Sequence, residues 1–158
     1  MIVNIDRAVD CALDRDGCDG GGAQFSYVQK NGGIALDNLY PYTSGTTGTW
    51  NRQCFYNKSL AAPGVSVAGW VNLPWGNGQF GTANGNELDL QLAVANHGPV
   101  WIALPVTSGW QFYSSGTLID PFCSNTSINH AVTVVGYDTD SNGIQNYILR
   151  NSWGPNWG

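Results

Sequence analysis

The chain has 158 residues, of which 42% are hydrophobic and 11% are charged, and its formal net charge at pH 7 is −5. This composition is typical of a folded globular protein and not of a disordered one. No cluster of Lys and Arg is available to neutralise phosphates, so we expect neither nucleic acid nor a membrane surface as a partner. No apolar run approaches the ~20 residues of a membrane-spanning helix.

The first half of the sequence is rich in loops and contains one clear predicted helix. Phe25 and Val28 supply the apolar spacing of a helix from about residue 22 to residue 31, and Gly32-Gly33 provides its C-terminal stop. Residues 40–50 combine Pro, Gly and Ser with aromatic side chains, and we predict turns and loops there.

A stretch dense in Gly, Asn and Pro, residues 69–85, predicts a connection between two blocks, residues 1–80 and 81–158. The hydrophobic periodicity and the boundary residues then predict the first elements of the second block. Its first elements are a helix over about 86–95, a strand over 99–104 and a short turn or helical piece over 110–116.

A β-hairpin is predicted near the end of the chain. The β-branched run 132–136 is followed by the turn cluster DTDSNG at 138–143 and by a second strand at 145–150. If the strands pair symmetrically about that turn, His130 lies directly opposite Asn151, and an asparagine carbonyl can then accept the imidazole N–H and orient the ring. The alternative is that the two side chains form only a satisfied polar pair at a sheet end.

Several sequence words together resemble the papain-like cysteine peptidases, the cathepsin family. They are NHAVTVVGYDTD from Asn129, NYILRNSWGPNWG from Asn146, and GCDGGG with the later YPYT. The resemblance extends from about Asn4 to Gly158, nearly the whole chain. It implies an α+β, papain-like two-domain fold that is partial here. A helical left domain remnant would occupy residues 1–80, an antiparallel β-barrel right domain residues 81–158, and the active-site cleft would lie between them.

The resemblance also implies a function, that of a cysteine-type endopeptidase that hydrolyses peptide bonds through a Cys-His-Asn site. His130 and Asn151 match the catalytic His and Asn, and Trp153 matches the tryptophan that covers them. The residues that match the substrate-binding positions are Gly20, Gly21, Gly22, Ala23, Ala103 and Asn129. A peptide or protein substrate, no cofactor, a monomeric intact protein and a secreted or lysosomal/vacuolar location are expected.

The nucleophile of the family is not found in the sequence. In the family it lies in a C-G-[SA]-C-[WY] word, whereas none of the four cysteines here is followed by Trp or Tyr. We therefore expect the chain to be an internal fragment, truncated at both ends and inactive by itself. One alternative is a catalytically dead papain-like homologue that acts as a peptide- or protein-binding module. Another is a secreted binding domain whose resemblance is accidental.

The resemblance also predicts the disulfide pattern. In the family the cysteines that match Cys11 and Cys54 are paired, while the partners of Cys18 and Cys123 would lie outside this chain. The alternative is that Cys18 and Cys123 also pair with each other, because sequence alone does not fix connectivity.

Other chemistry is less well supported. The turn DTDSNG matches the first half of a calcium loop, but position 12 falls on Leu149 where a bidentate Glu is needed, so a hairpin turn is favoured. His97 and His130 lack companion ligands at zinc spacing, so no metal is expected and His97 is interpreted as structural. Two glycosylation sequons, at 57–59 and 125–127, weakly support passage through a secretory compartment.

Overall fold

The structure is a computed structural model, and it describes residues 6–12, 17–50, 53–62, 65–70, 73, 87–124 and 126–158. It divides into two compact units, Met1–Val71 and Asn72–Gly158. The boundary that the sequence predicts near residue 80 lies outside the described residues, so the two-domain division at that point stays a prediction. Among the described helices, none has both the length and the apolar character needed to cross a membrane.

The first unit contains short helices joined by irregular backbone. Helices α1, α2 and α3 span Asp6–Cys11, Phe25–Lys30 and Ser44–Thr47, and a 3₁₀ helix spans Lys58–Leu60. The sequence did not predict α1, and α3 forms a single helical turn inside the predicted loop at 40–50.

Helix α2 is shorter than the predicted helix at residues 22–31. It begins only at Phe25, because Gln24, with φ −98° and ψ 29°, lies outside the helical range. Further upstream, Gly20 and Gly21 adopt φ angles of 115° and 149°, which favour glycine. Its end agrees with the prediction: Gly32 takes a left-handed φ of 73°, and the N–H of Gly33 donates to the carbonyl of Val28 at 3.0 Å.

A disulfide joins Cys11, the last residue of α1, to Cys54, with a Cα–Cα distance of 4.8 Å. Beside it, the Tyr40 hydroxyl donates to a carboxylate oxygen of the buried Asp10 at 2.8 Å. The predicted Cys11–Cys54 pairing is confirmed. Cys18 and Cys123 are both exposed free thiols, so the alternative in which they form a second bridge is wrong.

The second unit is a three-stranded antiparallel sheet with a helix packed on it. Helix α4 spans Glu87–His97, as predicted to within two residues, and a 3₁₀ helix spans Ser108–Phe112. The strands are β1 Val100–Leu104, β2 His130–Thr139 and β3 Gln145–Arg150, in the order β1-β2-β3. Val94 of the helix and Val132 and Val134 of the central strand are buried, so the core of this unit lies between α4 and the sheet.

The hairpin forms as predicted, but its predicted register is wrong by two residues near His130. Symmetric pairing about DTDSNG placed Val132 opposite Leu149, whereas Val134 lies opposite Leu149 in the structure. The loop is centred later in the chain than the DTDSNG cluster, which shifts the pairing of Gly136 to Thr139 by three residues, and a β-bulge between Val134 and Gly136 reduces the shift to two. A shift by an even number of residues leaves the same side chains on the buried face.

Asp140 determines where the hairpin turns. One carboxylate oxygen accepts the backbone N–H groups of Asn142 and Ile144, each at 2.9 Å, and the other accepts the Thr117 hydroxyl at 2.8 Å. The backbone N–H of Ile144 contributes most to holding the pKa of Asp140 below its ordinary value. Both oxygens therefore accept hydrogen bonds from the chain itself, and Asp140 holds the turn between β2 and β3. Across the described ranges, no group of three or more acidic, His or Cys side chains is placed to hold a metal ion.

We predict that Asp140→Asn lowers the midpoint of thermal unfolding at neutral pH. The pKa of Asp140 is depressed in the folded chain, so its contribution is present above the unfolded pKa and is lost as pH falls through the lower, folded pKa. The variant should therefore also show a flatter loss of stability below about pH 4, measured by thermal unfolding across pH. Asp138→Asn is the matched control, because among the residues that the structure describes Asp138 accepts only the N–H of its neighbour Thr139. Equal effects of the two substitutions would contradict the assignment.

We also predict two reactive thiols, Cys18 and Cys123, when the 158-residue chain is titrated under denaturing, non-reducing conditions. Reduction of the Cys11–Cys54 bridge, which closes a separation of 43 residues, should cost roughly 4 kcal/mol of stability in the chain-entropy model. A chain with Cys18→Ser and Cys123→Ser is the control and should titrate no thiol until it is reduced. A wild-type chain with no free thiol would show a different connectivity.

Candidate active site

His130 and Asn151 are hydrogen-bonded at the open end of the hairpin. His130 is the first residue of β2, Asn151 directly follows β3, and Nε2 of the imidazole lies 2.9 Å from Oδ1 of the amide. The backbone N–H of Ser152 donates to the same Oδ1 at 2.8 Å. Because a backbone N–H only donates, the accepting atom is the amide oxygen and not the amide nitrogen.

This arrangement selects the tautomer of His130. An amide oxygen accepts but cannot donate, so Nε2 must carry the hydrogen and the neutral ring keeps its lone pair at Nδ1. Nδ1 makes no hydrogen bond to any residue that the structure describes. The other amide atom of Asn151, Nδ2, is buried and has no partner there either, so the two bonds to Oδ1 set the amide orientation. The geometry thus presents one imidazole nitrogen that can accept and later return a proton.

The corrected register explains how these side chains meet. With Val134 opposite Leu149, continuation of the pairing brings Asn151 beside Val132, on the same face as His130. His130 and Asn151 are therefore diagonal neighbours and not directly opposed, as the symmetric hairpin had placed them. Diagonal Cβ atoms in a sheet lie roughly 7–8 Å apart, a separation that a His and an Asn side chain can bridge. On its other side His130 pairs with Leu104 of β1, so its backbone belongs to the central strand.

Trp153 stacks on His130. The two ring centroids are 4.9 Å apart with an angle of 34° between the planes, and 37% of Trp153 remains exposed. Trp153 therefore covers one part of the imidazole and leaves the rest open. Trp157 contacts Trp153 edge-on at 5.3 Å between centroids, and its indole N–H donates to the carbonyl of Trp110 at 2.7 Å.

Asp120 fixes Trp110, the residue to which Trp157 is hydrogen-bonded. Nothing in the sequence singled out Asp120. Its carboxylate accepts the backbone N–H of Phe122 at 2.9 Å, the Thr107 hydroxyl at 2.9 Å and the indole N–H of Trp110 at 3.0 Å. These bonds, above all that from Phe122, hold the pKa of Asp120 below its ordinary value. No sequence signal connects Asp120 to Trp110, because the spacing of ten residues matches no regular element.

Asn129 acts as a backbone clamp in this structure. Its Oδ1 accepts the N–H of Val106 at 2.7 Å, and its Nδ2 donates to the carbonyl of Val106 at 3.0 Å. The side-chain amide thus makes the two backbone hydrogen bonds that a neighbouring strand would make. It holds the chain that follows β1 next to Asn129. Ala103 lies in β1, half-buried, opposite Ala131. The predicted role of both residues in substrate binding remains a prediction.

The other predicted substrate-binding residues, Gly20 to Ala23, belong to the first unit, where all four are exposed. A Cβ added at Gly20, Gly21 or Gly22 would meet no atom within 4 Å, so the side of the chain is open there. The φ angles of Gly20 and Gly21 explain why these two positions favour glycine. The structure thus brings His130, Asn151 and Trp153 together within the second unit, with Asn129 next to His130 in the chain.

A cavity of about 480 Å³ that is broadly open to solvent borders the stacked tryptophan in the second unit. Its lining contains no charged side chain. Four aromatic rings and three polar side chains form it: Phe112, Tyr113, Trp153 and Trp157 with Gln111, Ser114 and Asn156. Trp153 is thus shared between the cavity and the imidazole, which places an uncharged, largely aromatic surface next to His130.

Comparison with known proteins identifies the family of the chain. The family model described as papain family cysteine protease matches residues 4–158. Cathepsin K of Mus musculus is 37% identical over 153 residues, which cover 95% of this chain and 41% of that protein. The chain therefore spans about two fifths of the length of this curated relative.

Two solved structures share the fold. The digestive procathepsin L 3 of Tenebrio molitor larval midgut has a TM-score of 0.82 and 34% identity, over 99% of this chain and 47% of that one. The bromelain protease of Ananas comosus, solved in complex with the E64 inhibitor, has a TM-score of 0.78 and 31% identity, over 99% of this chain and 65% of that one. The predicted α+β, papain-like fold is confirmed.

We predict that neutral His130 carries its hydrogen on Nε2, because Oδ1 of Asn151 can only accept. Imidazole nitrogen chemical shifts, recorded where the ring is neutral, report the tautomer directly. Asn151→Ala should convert His130 into a mixture of both tautomers. His97, the only other histidine, is exposed at the end of α4 and serves as the internal control. Neutral His130 with its hydrogen on Nδ1 in the unmodified chain would contradict the prediction.

Proposed function

Because the chain belongs to the papain family of cysteine proteases, we propose that the whole protein cleaves peptide bonds with a cysteine thiolate that His130 and Asn151 serve. The observation that supports this most is that the amide oxygen of Asn151 accepts two hydrogen bonds, one from Ser152 and one from Nε2 of His130. This arrangement keeps Nδ1 of His130 available for proton transfer. A binding module of the same fold has no chemical need for that arrangement, so the peptidase is favoured over a catalytically dead homologue.

The nucleophile of this proposal is a cysteine outside residues 1–158. Cys11 and Cys54 are consumed in a disulfide, and neither Cys18 nor Cys123 stands in the sequence word of the family nucleophile. The 158-residue chain by itself would therefore hydrolyse nothing. In the whole protein the thiolate would face Nδ1 of His130, since Nε2 is already committed to Asn151.

The proposed steps follow from the two nitrogen atoms of the ring. The thiolate attacks the scissile carbonyl carbon, a C–S bond forms, and the proton on Nδ1 of imidazolium His130 passes to the leaving amine as the C–N bond breaks. The neutral ring then accepts a proton at Nδ1 from the water that attacks the acyl-enzyme, and the thiolate leaves. Throughout, the Nε2–H bond to Asn151 keeps the ring in place, and Trp153 covers part of it.

Substrate preference is proposed from both sides of the scissile bond. The leaving amine must approach His130, so the residues after the scissile bond would lie toward Trp153 and the uncharged cavity that it borders. On the acyl side the family resemblance assigns a specificity pocket to Gly22, Ala23, Ala103 and Asn129, none of which is acidic. Small side chains leave that pocket roomy, so a large hydrophobic or aromatic residue is proposed before the scissile residue.

A location outside the cytosol belongs to the same proposal. The Cys11–Cys54 disulfide supports a secreted or lysosomal/vacuolar protein, because disulfides persist in oxidising compartments and are rare in the cytosol. The substrates would then be peptides or proteins met in that compartment, and the intact enzyme would act as a monomer.

In the whole protein, His130→Ala should lower kcat/KM for a peptide substrate by roughly 10²–10⁴-fold, the usual contribution of a general acid–base. Asn151→Ala should cause a smaller loss, because the ring remains but is no longer oriented. His97→Ala is the matched control and should keep the unmodified rate, since His97 lies on the exposed end of α4. Unchanged hydrolysis in the His130 variant, or a whole protein that a thiol-alkylating reagent does not inactivate, would overturn the proposal.

Profiling of the whole enzyme with a peptide library should show large hydrophobic or aromatic residues at the position before the scissile residue. The reason is the small, uncharged side chains at Gly22, Ala23 and Ala103. Ala103→Glu is the test variant, and it should add acceptance of Arg and Lys at that position. Dominant Arg or Lys with the unmodified enzyme would point instead to an acid elsewhere in the pocket.

A further inference from the structure

We propose that Asn57 is glycosylated on its side-chain nitrogen, with a lipid pyrophosphate-linked oligosaccharide as the donor. Asn57-Lys58-Ser59 has the acceptor pattern Asn-X-Ser, with Lys and not Pro between the two defining residues. All three residues are exposed. The inference rests on the location part of the proposed function, because the donor is met only in the secretory pathway, and it is independent of peptide hydrolysis.

The side chain of Asn57 is already folded against the residue that defines the acceptor pattern. Its Oδ1 accepts the backbone N–H of Ser59 at 3.0 Å and also the Ser59 hydroxyl. The backbone of Asn57 is extended, with φ −131° and ψ 164°, and it caps the 3₁₀ helix Lys58–Leu60. The hydroxyl that the pattern requires is thus in direct contact with the amide to be modified.

This contact determines which amide atom is left for chemistry. The oxygen is turned toward Ser59 and occupied, whereas Nδ2 of Asn57 makes no hydrogen bond within the part of the chain that the structure describes. In the transfer a bond forms between Nδ2 and the first sugar carbon, and the bond from that carbon to the pyrophosphate oxygen breaks. The lipid pyrophosphate leaves with the electron pair, and Nδ2 loses one proton.

Asn57 is exposed, so a glycan can be accommodated there, and it would protect a neighbouring exposed segment. Tyr56 is half-buried, but residues 53–55 before it are exposed, including Cys54 of the disulfide and Phe55, which has 59% of its surface in solvent. Exposed irregular segments are preferred sites of proteolytic cleavage. A glycan at Asn57 would shield this segment in a compartment where the proposed enzyme and other peptidases act.

The experiment uses the whole protein secreted from eukaryotic cells. Enzymatic removal of N-glycans in heavy-oxygen water converts a glycosylated Asn into labelled Asp, so the mass of the peptide that contains Asn57 reports occupancy in the unmodified protein. We expect the labelled form to account for most of that peptide. An unlabelled Asn57 peptide from the secreted protein overturns the proposal without bearing on peptide hydrolysis.

Variants separate the acceptor pattern from the structural role of Asn57. Asn57→Gln and Ser59→Ala should each remove one glycan step in gel mobility, whereas Ser59→Thr keeps the hydroxyl and should retain it. The second sequon begins at Asn125, which lies outside the described residues, and Asn125→Gln made separately assigns any other glycan. Asn57→Gln should leave kcat/KM unchanged, since Asn57 lies outside the proposed catalytic machinery. Gel mobility that neither Asn57→Gln nor Ser59→Ala changes would overturn the assignment to Asn57.

Discussion

Two hydrogen bonds that converge on one amide oxygen organise the candidate site. Oδ1 of Asn151 receives Nε2–H of His130 from one side and the N–H of Ser152 from the other. The backbone bond removes the choice of amide orientation, and the oriented amide then removes the choice of imidazole tautomer. A histidine without this partner would divide its population between two tautomers and several ring directions, only some of which present Nδ1 to a substrate.

The aromatic side of the site is supported from a different part of the chain. Trp153 rests on His130 and contacts Trp157, whose indole N–H reaches the carbonyl of Trp110. Asp120 in turn receives the indole N–H of Trp110. Each aromatic contact contributes only about 0.5–1.5 kcal/mol beyond its buried area, so the position of Trp153 depends on the whole series and not on one pair. The register of the sheet positions the imidazole of His130. The segment between β1 and β2, which contains Trp110 and Asp120, positions Trp153 above it through Trp157.

The sequence allowed prediction of the hairpin and of the contact between its two candidate catalytic side chains, but not of their geometry. The β-branched run and the turn residues identify both strands, while the loop centre depends on how the Asp140 side chain bonds to Asn142 and Ile144. Periodicity does not reveal that choice, nor the bulge after Val134. The contact of His130 with Asn151 was still anticipated, because the resulting shift of two residues keeps both on one face.

Other differences between sequence and structure have equally local causes. Helix α2 starts late because the backbone angles of Gln24 do not fit a helix. The role of Asn129 as a clamp on Val106 is invisible in a one-dimensional pattern, since an exposed asparagine before a histidine looks equally suited to contact a substrate. The disulfide was found through family resemblance, because four cysteines do not define their own pairing.

The β-bulge between Val134 and Gly136 divides β2 into two mechanically different parts. From His130 to Val134 the strand is held by β1, and β3 joins it at Thr133 and Val134, whereas from Gly136 to Thr139 it is paired with β3 alone. The outer part is a two-stranded ribbon that can bend and twist independently of β1, while the inner part, which both neighbouring strands hold at Thr133 and Val134, fixes the backbone of His130.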